Sequence, residues 1–268
     1  MGFQLLKKFE YYYNQRTLLF NYVKKDLREK YAGSILGFYW SVINPLILLG
    51  IYTFVFSVIF KVKFSREATL SMSALYIYCG MVPWMAFHEA ILRSTNTLID
   101  NANLIKKVMF PSKILPIYLT ISAFVNMFIG FAILIIGAIL SGKTNFKYYP
   151  LLLLYFFAQF LLTLGFGWMG ATVNVFIRDM GQIIGQILLI WMYLTPLFYT
   201  MELIPEKFRK YEELNPMALL IKGYRDIILN QKMPDIYALI KFWIISIVIF
   251  LIGYKVFTKN QHEFADVL

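Results

Sequence analysis

Five stretches of this chain carry no Asp, Glu, Lys or Arg at all: 31–60, 68–88, 114–142, 148–177 and 180–201. Each is long enough for a helix that crosses a bilayer core, which takes roughly 20 apolar residues. A sixth stretch, 236–257, carries only Lys241 and Lys255, both near its ends, where a long side chain reaches the headgroups. The spacing predicts transmembrane helices near 36–60, 70–95, 115–140, 150–175, 181–201 and 237–257, with the fourth and fifth joined by a tight turn at Arg178-Asp179. Charged residues make up 15% of the 268, against about a quarter in soluble domains, which argues against a soluble enzyme. The net charge of +11 flanks apolar runs instead of forming a stripe, so no nucleic-acid partner is expected. One cysteine, Cys79, and two histidines leave no internal disulfide and little for a metal site. No cleavable signal-peptide pattern follows Met1.

Six crossings place both termini on one side. Seven basic residues precede the first span and three follow it, so the termini are expected to be cytoplasmic, although the totals for the two sides, 14 and 12, are close. Ahead of that span, Phe3, Leu6, Phe9 and Tyr13, and then Leu19, Val23, Leu27 and Tyr31, recur at helical spacing opposite Lys and Arg. That is the pattern of amphipathic helices lying in the membrane surface, here over 1–35. Between the fifth and sixth spans, Pro205 and the Asn215-Pro216 pair each start a short helix, near 205–213 and 216–230. The second is too apolar for a free loop, so the pair is expected to dip into the outer leaflet. The expected fold is all-α and integral to the membrane: an N-terminal interfacial segment, one six-helix domain over 36–257 with two re-entrant outer helices, and a cytoplasmic tail over 258–268.

Three glycine motifs need weighing. The stretch from Gly137 to Thr144 fits the phosphate-loop pattern G-x4-G-K-T, but it ends an apolar helix instead of joining a strand to a helix. Gly165-Phe166-Gly167-Trp168-Met169-Gly170 fits a dinucleotide fingerprint but lies mid-span, where small residues serve close helix approach. Gly181 and Gly185 form a G-x-x-x-G suited to packing within the chain or to a dimer contact. No cofactor is expected in the chain itself. Glu89 and Arg93, an i,i+4 pair beside His88 on the second span, read either as a structural ion pair or as a gating element.

Three segments together resemble one family. Asp26-Leu27-Arg28-Glu29-Lys30-Tyr31-Ala32-Gly33-Ser34-Ile35-Leu36-Gly37-Phe38-Tyr39-Trp40-Ser41-Val42-Ile43-Asn44-Pro45 resembles the approach to the first span of ABC-2 type permeases. Asn103-Leu104-Ile105-Lys106-Lys107-Val108-Met109-Phe110-Pro111 is similar to their cytoplasmic loop between the second and third spans. The segment from Tyr193-Leu194-Thr195-Pro196 to Glu213-Leu214-Asn215-Pro216-Met217 looks like their fifth span and the outer loop after it. Within the family the chain looks most like the permeases that export O-antigen polysaccharide, with those for wall teichoic acid close by.

The resemblance implies a homodimer in the inner membrane, working with two copies of a separate ATPase subunit that binds ATP and Mg. The substrate implied is a polyprenyl- or lipid-linked polysaccharide. The 100–113 loop would be the coupling element, with Asn103, Lys106, Lys107, Phe110 and Pro111 meeting the ATPase, and the 205–230 helices would gate the exit. The passage would run between the first and fifth spans of the two protomers. A threading glycan needs weak repeated contacts from aromatic faces and amides. Tyr39, Trp40, Asn44, Tyr52, Gln186, Trp191, Tyr193, Thr195, Phe198 and Tyr199 offer such groups, although aromatic belts at the membrane interfaces would use the same residue types. Rival readings are an ABC-2 exporter of teichoic acid, lipid or drug, and a membrane enzyme acting on polyprenyl-linked glycans. The enzyme would need a carboxylate pair, drawn from Glu206, Glu212, Glu213, Asp226 and Asp235. A secondary transporter would show an inverted repeat, and the six spans show none that convinces.

Overall fold

Nothing between Gly2 and Glu29 breaks a helix, and the computed structural model accordingly shows one continuous helix, α1 (Gly2–Glu29). The two amphipathic stretches expected from the sequence are one element, because Asn14 and Gln15 interrupt the apolar stripe without stopping propagation. The structure describes residues 2–30, 32–61, 69–107 and 110–268, with side chains from Arg16 onward apart from Phe38, Lys107, Glu202, Tyr211 and Glu212. The expected apolar positions Phe3, Leu6, Phe9, Tyr13 and Tyr31 therefore lie outside the described side chains. Over the rest of α1, Leu19, Val23 and Leu27 are half-buried while Lys24, Lys25 and Arg28 are exposed, as an interfacial helix requires. The helix lies along α5 (Ile114–Leu140), and Tyr22 packs on Tyr118 at a ring separation of 5.2 Å.

A single 3-10 turn at Gly37–Tyr39 leads into α2 (Trp40–Thr53), which widens into a π-helical segment at Phe54–Ile59. The long α3 (Leu70–Asp100) begins at an N-cap, Thr69, whose hydroxyl accepts from the Met72 amide. A short α4 (Ala102–Lys107) follows, then α5, and then α6 (Leu152–Phe176), which continues a 3-10 turn at Tyr149–Leu151 with Pro150 inside it. Next come α7 (Met180–Leu194), α8 (Glu206–Glu212), α9 (Pro216–Ile228), α10 (Ile236–Asn260) and α11 (Phe264–Val267). Asn215 caps α9 through the Met217 amide, and Asp235 caps α10 through the Tyr237 amide.

Among the described residues, five helices are long and apolar enough to cross a membrane: Trp40–Ile59, Leu70–Asp100, Ile114–Leu140, Tyr149–Phe176 and Ile236–Asn260. The element at the expected fifth span is different. α7 has 15 residues and ends at Leu194, not 201, a rise of about 22 Å against a hydrocarbon core of about 30 Å. The cause is Pro196, whose ring disfavours helical backbone at Thr195; Thr195 is extended, with ψ at 136°.

At the centre stands α3, its middle turns fully buried, with α5, α6, α7, α9 and α2 packed around it; α10 joins the bundle through α6. The α6–α10 contact is close because glycine faces glycine. A Cβ at Gly165 would lie 2.6 Å from the Ile249 carbonyl oxygen, and one at Gly253 would overlap the Gly165 carbonyl. Gly170 presses on Thr95 and Gly181 on Asn96, both of α3. The glycine-rich run in α6 and the start of α7 are thus packing surfaces within one chain. The run from Gly137 spans the end of α5 and the turn beyond it, where Gly142 has φ +81°.

Candidate functional site

Three constellations of polar and aromatic groups tie the helices together. The first joins α1 to α3. Lys30 places its Nζ 2.8 Å from both carboxylate oxygens of Glu89, and Arg93 bonds both Glu89, at 3.2 Å, and Asp26. Arg93 reaches the second Asp26 oxygen at 3.1 Å, making a bidentate pair. The sequence pair Glu89–Arg93 is therefore the inner half of a four-residue network, whose outer half, Asp26 and Lys30, sequence spacing had no means of reaching.

The second constellation sits at the end of α7. With the helix stopped before Pro196, the carbonyls of Pro196 and Leu197 have no helical amide to accept from. Arg225 of α9 supplies the donors, at 2.7 Å to Pro196 and 2.9 Å to Leu197, with two longer bonds of 3.3 Å to the Tyr76 carbonyl. Its guanidinium lies 3.5 Å from the Tyr76 ring centroid, and the residue is 4% exposed. Beside it Trp191 donates to Asn215 at 2.9 Å, and the Asn215 amide donates to Thr195 at 3.0 Å. One asparagine thus caps α9 and holds the end of α7. Sequence reasoning counted Arg225 as one more loop charge. An arginine inside the apolar run Leu219–Ile228 was the available signal, since a charge in such a setting is buried for a reason.

The third is a knot at the α6–α7 turn. Asn174 donates to the Thr95 carbonyl at 3.0 Å and to Asn96 at 3.1 Å, and accepts from the Gly181 amide at 3.0 Å. It fixes the α6–α7 turn against α3.

The proposed channel residues separate into two groups. Tyr39, Asn44, Gln186 and Tyr193 are exposed. Thr195 and Phe198 are buried; Tyr52 stacks on Phe198 at 4.5 Å, and Phe56 does so at 4.7 Å with the rings within 4° of parallel. Trp191 is walled by Trp84, Phe87 and Phe166 at 5.3 to 6.2 Å. Tyr199 bonds the Tyr193 and Leu194 carbonyls, and Trp40 donates to the Ser34 hydroxyl at 2.9 Å. In this conformation α2 with its π-helical extension and the end of α7 of one chain are zipped by aromatic stacking, and the exposed candidates are Tyr39, Asn44, Gln186 and Tyr193.

Of the coupling-loop residues, Asn103 and Lys106 are exposed on α4, while Phe110 and Pro111 are half-buried. Phe110 packs on Tyr22 of α1 at 5.7 Å. The Lys107 side chain and all of Val108 and Met109 lie outside the described residues. α4 rests on α11 and on the end of α3, so the loop, the tail helix and the long central helix meet in one place.

Among the described residues no three His, Cys, Asp or Glu side chains gather as a metal site. Of the carboxylates an enzyme would need, Asp226 is paired with Lys232 at 3.2 Å and Asn230 at 2.9 Å, and Asp235 is a helix cap.

Comparison with known proteins agrees with this architecture. An O-antigen export system permease protein RfbA of Klebsiella pneumoniae is 28% identical over 255 residues, covering 94% of this chain and 95% of the relative. The RfbA permease of Myxococcus xanthus is 25% identical over 256 residues, covering 95% and 96%. A second Klebsiella pneumoniae RfbA permease is 27% identical over 252 residues, at 94% and 95%. The family described as ABC-2 type transporter matches residues 17–229, from the described half of α1 to the end of α9. This chain is a multi-pass membrane protein that belongs to the ABC-2 type transporter family.

Proposed function

We propose that the chain is the permease subunit of an ATP-driven exporter that moves a lipid-linked polysaccharide of the O-antigen type from the cytoplasm across the inner membrane. The observation that carries this reading is the likeness, over 94–95% of the chain, to three proteins named as O-antigen export permeases. Two copies would assemble with two copies of a separate ATPase subunit that binds ATP and Mg. Both termini would be cytoplasmic, with α7 and the irregular residues 195–200 together completing a sixth crossing. The buried α9 and the short α8 would form the outer gate.

Two features of the structure support the dimer and the coupling. α2 has only two buried residues, Ser41 and Thr53, and α7 has one, Leu188, so both leave long apolar faces for lipid or a second protomer. α4 offers Asn103 and Lys106 outward on a platform made by α11 and α3, which suits a rigid-body push delivered to the central helix. Glu89 and Arg93 would act as a catch between α1 and α3 during that push. A teichoic acid, lipid or drug would travel by the same fold, and substrate choice is decided by assay.

The test is export in vesicles that contain this chain, its candidate ATPase and a lipid-linked polysaccharide. ATP-dependent transfer that needs both proteins, and that a Lys106→Glu variant uncouples from hydrolysis, supports the proposal. Glycan transfer or modification by this chain without ATP overturns it in favour of a membrane enzyme or a secondary transporter.

A further inference from the structure

Between α1 and α5 runs an open groove of about 640 Å³, within the size range of clefts that hold an organic ligand. Phe20, Val23 and Leu27 of α1 and Val125 of α5 give it apolar walls, and Lys24 and Arg28 of α1 line it as well. The five α1 positions, 20, 23, 24, 27 and 28, form the i, i+3, i+4, i+7, i+8 stripe of one helix face. On a helix that only rests in a membrane surface such a stripe is apolar throughout and the cations stand opposite. Here two cations share it.

The charges on α1 divide by what they meet. Lys25 pairs with Glu29 at 3.7 Å, Lys30 with Glu89 at 2.8 Å, and Asp26 with Arg93. Lys24 and Arg28 make no ion pair among the described residues, and no described carboxylate lines the groove. They stand one turn apart, about 6 Å along the axis, so both long side chains can close on a single phosphate. The apolar side is equally unmet: Phe20 is 67% exposed, and Ile35 in the loop after α1 is fully exposed.

These two demands narrow the occupant. A soluble anion would meet the cations and leave the apolar walls bare. A zwitterionic lipid would cover the walls and leave the positive charge uncompensated. A second copy of this chain, docked groove to groove about a twofold axis, would bring four cations together. A lipid whose headgroup is net negative answers both demands at once. We propose that the groove seats one anionic glycerophospholipid per chain, its phosphate between Lys24 and Arg28 and an acyl chain against Phe20, Val23, Leu27 and Val125. Asp26 and Lys30 fasten the neighbouring side of the same turns to α3, so the lipid completes the docking of α1. The seat needs only a bilayer around the bundle, whatever cargo the chain carries.

The test counts lipids on the full chain by native mass spectrometry, after purification in detergent with equal amounts of phosphatidylglycerol and phosphatidylcholine. One phosphatidylglycerol per chain should survive delipidation that strips phosphatidylcholine. Lys24→Gln/Arg28→Gln should weaken its retention about tenfold or more, because both headgroup cations are gone. Arg16→Gln/Lys25→Gln removes the same charge from α1 outside the groove and should change retention little. Val125→Trp, which fills the groove and leaves every charge in place, should abolish the tight lipid. Equal weakening in the two charge variants would mean general attraction of a basic helix to an anionic surface, and it overturns the seat. Full retention in Val125→Trp, or equal retention of phosphatidylcholine, overturns it too. A polyprenyl phosphate that displaces phosphatidylglycerol at a small fraction of its concentration assigns the groove to the carrier of a cargo and overturns the choice of occupant. None of these readouts involves transport, so a chain that exports no glycan would fail the proposed function and leave the lipid count to decide the groove.

Discussion

Arg225→Met is the substitution whose consequence follows most directly from the structure. The long apolar methionine fills the volume and removes the cost of burying a guanidinium, which by itself is often neutral or favourable. What it leaves behind decides the sign. The Pro196 and Leu197 carbonyls, now served at 2.7 and 2.9 Å, lose their donors in a buried setting where Pro196 has already ended the helix. Two orphaned carbonyls at roughly 1–3 kcal/mol each predict a loss of about 2–6 kcal/mol. For a chain of this size that corresponds to a fall in thermal midpoint of roughly 5–15 °C. Arg225→Lys keeps the charge but reaches only part of the fork, so it falls between wild type and Met. The assay is thermal unfolding in detergent, combined with hydrogen exchange over residues 194–204, which should lose protection first. A Met variant within 2 °C of wild type, with unchanged exchange there, refutes the argument that Arg225 substitutes for missing helix amides.

Other outcomes follow from single contacts. Asp26→Asn weakens the bidentate pair to Arg93, a partly exposed interaction worth roughly 0.2–1 kcal/mol after screening, and trypsin should cut at Lys24 and Lys25 up to several-fold faster; unchanged cleavage would detach α1 docking from that pair. Gly165→Leu drives a side chain into the backbone of α10 at Ile249, and little folded protein should be recovered, whereas Gly50→Leu, with open space around it, should express normally. Phe198→Ala removes the ring on which Tyr52 and Phe56 stack, at roughly 3–5 kcal/mol for a core phenylalanine. Cysteine placed at Tyr52 should then label faster, and an unaltered rate would mean that α2 is held elsewhere.

What the sequence disclosed is what a bilayer enforces. Four charge-free runs, and the 236–257 stretch with its two lysines near the ends, gave the five long apolar helices within a few residues of their ends, because a charge at depth is expensive and turns collect the Lys and Pro that mark boundaries. The Gly165–Gly170 run was legible as packing for the same reason: no strand and no acidic partner accompany it. The misplaced end of α7 came from weighing hydropathy above Pro196, although proline's effect on Thr195 is as local a rule as any. What stayed hidden was pairing at long range. Asp26 with Arg93 is a contact over 67 residues and Arg225 with Tyr76 over 149, and no periodicity encodes such partners. The aromatics were abundant enough that residue type could not separate Trp191, walled by three rings, from Tyr193, which stands exposed.

The three polar constellations share one partner, α3, and differ in what they fasten to it. Asp26 and Lys30 hold α1 near one end of it, Asn174 holds the α6–α7 turn, and Arg225 holds α9 and the end of α7 at Tyr76 toward the other. α2 carries no charged residue, so no ion pair ties it to α3. It is held by the ring contacts of Tyr52, and of Phe56 in the π-helical segment after it, with Phe198, and by Leu48 and Leu49 packed against the core. Apolar stacking slides at little cost, whereas a buried ion pair or a fork on carbonyls must be broken outright before its helix moves. The stacking that joins α2 to the end of α7 is therefore the contact in this set that can slide. On the proposed function, a push arriving on α4 and α3 would carry α1, α7 and α9 together and open a gap along the Tyr52–Phe198 seam.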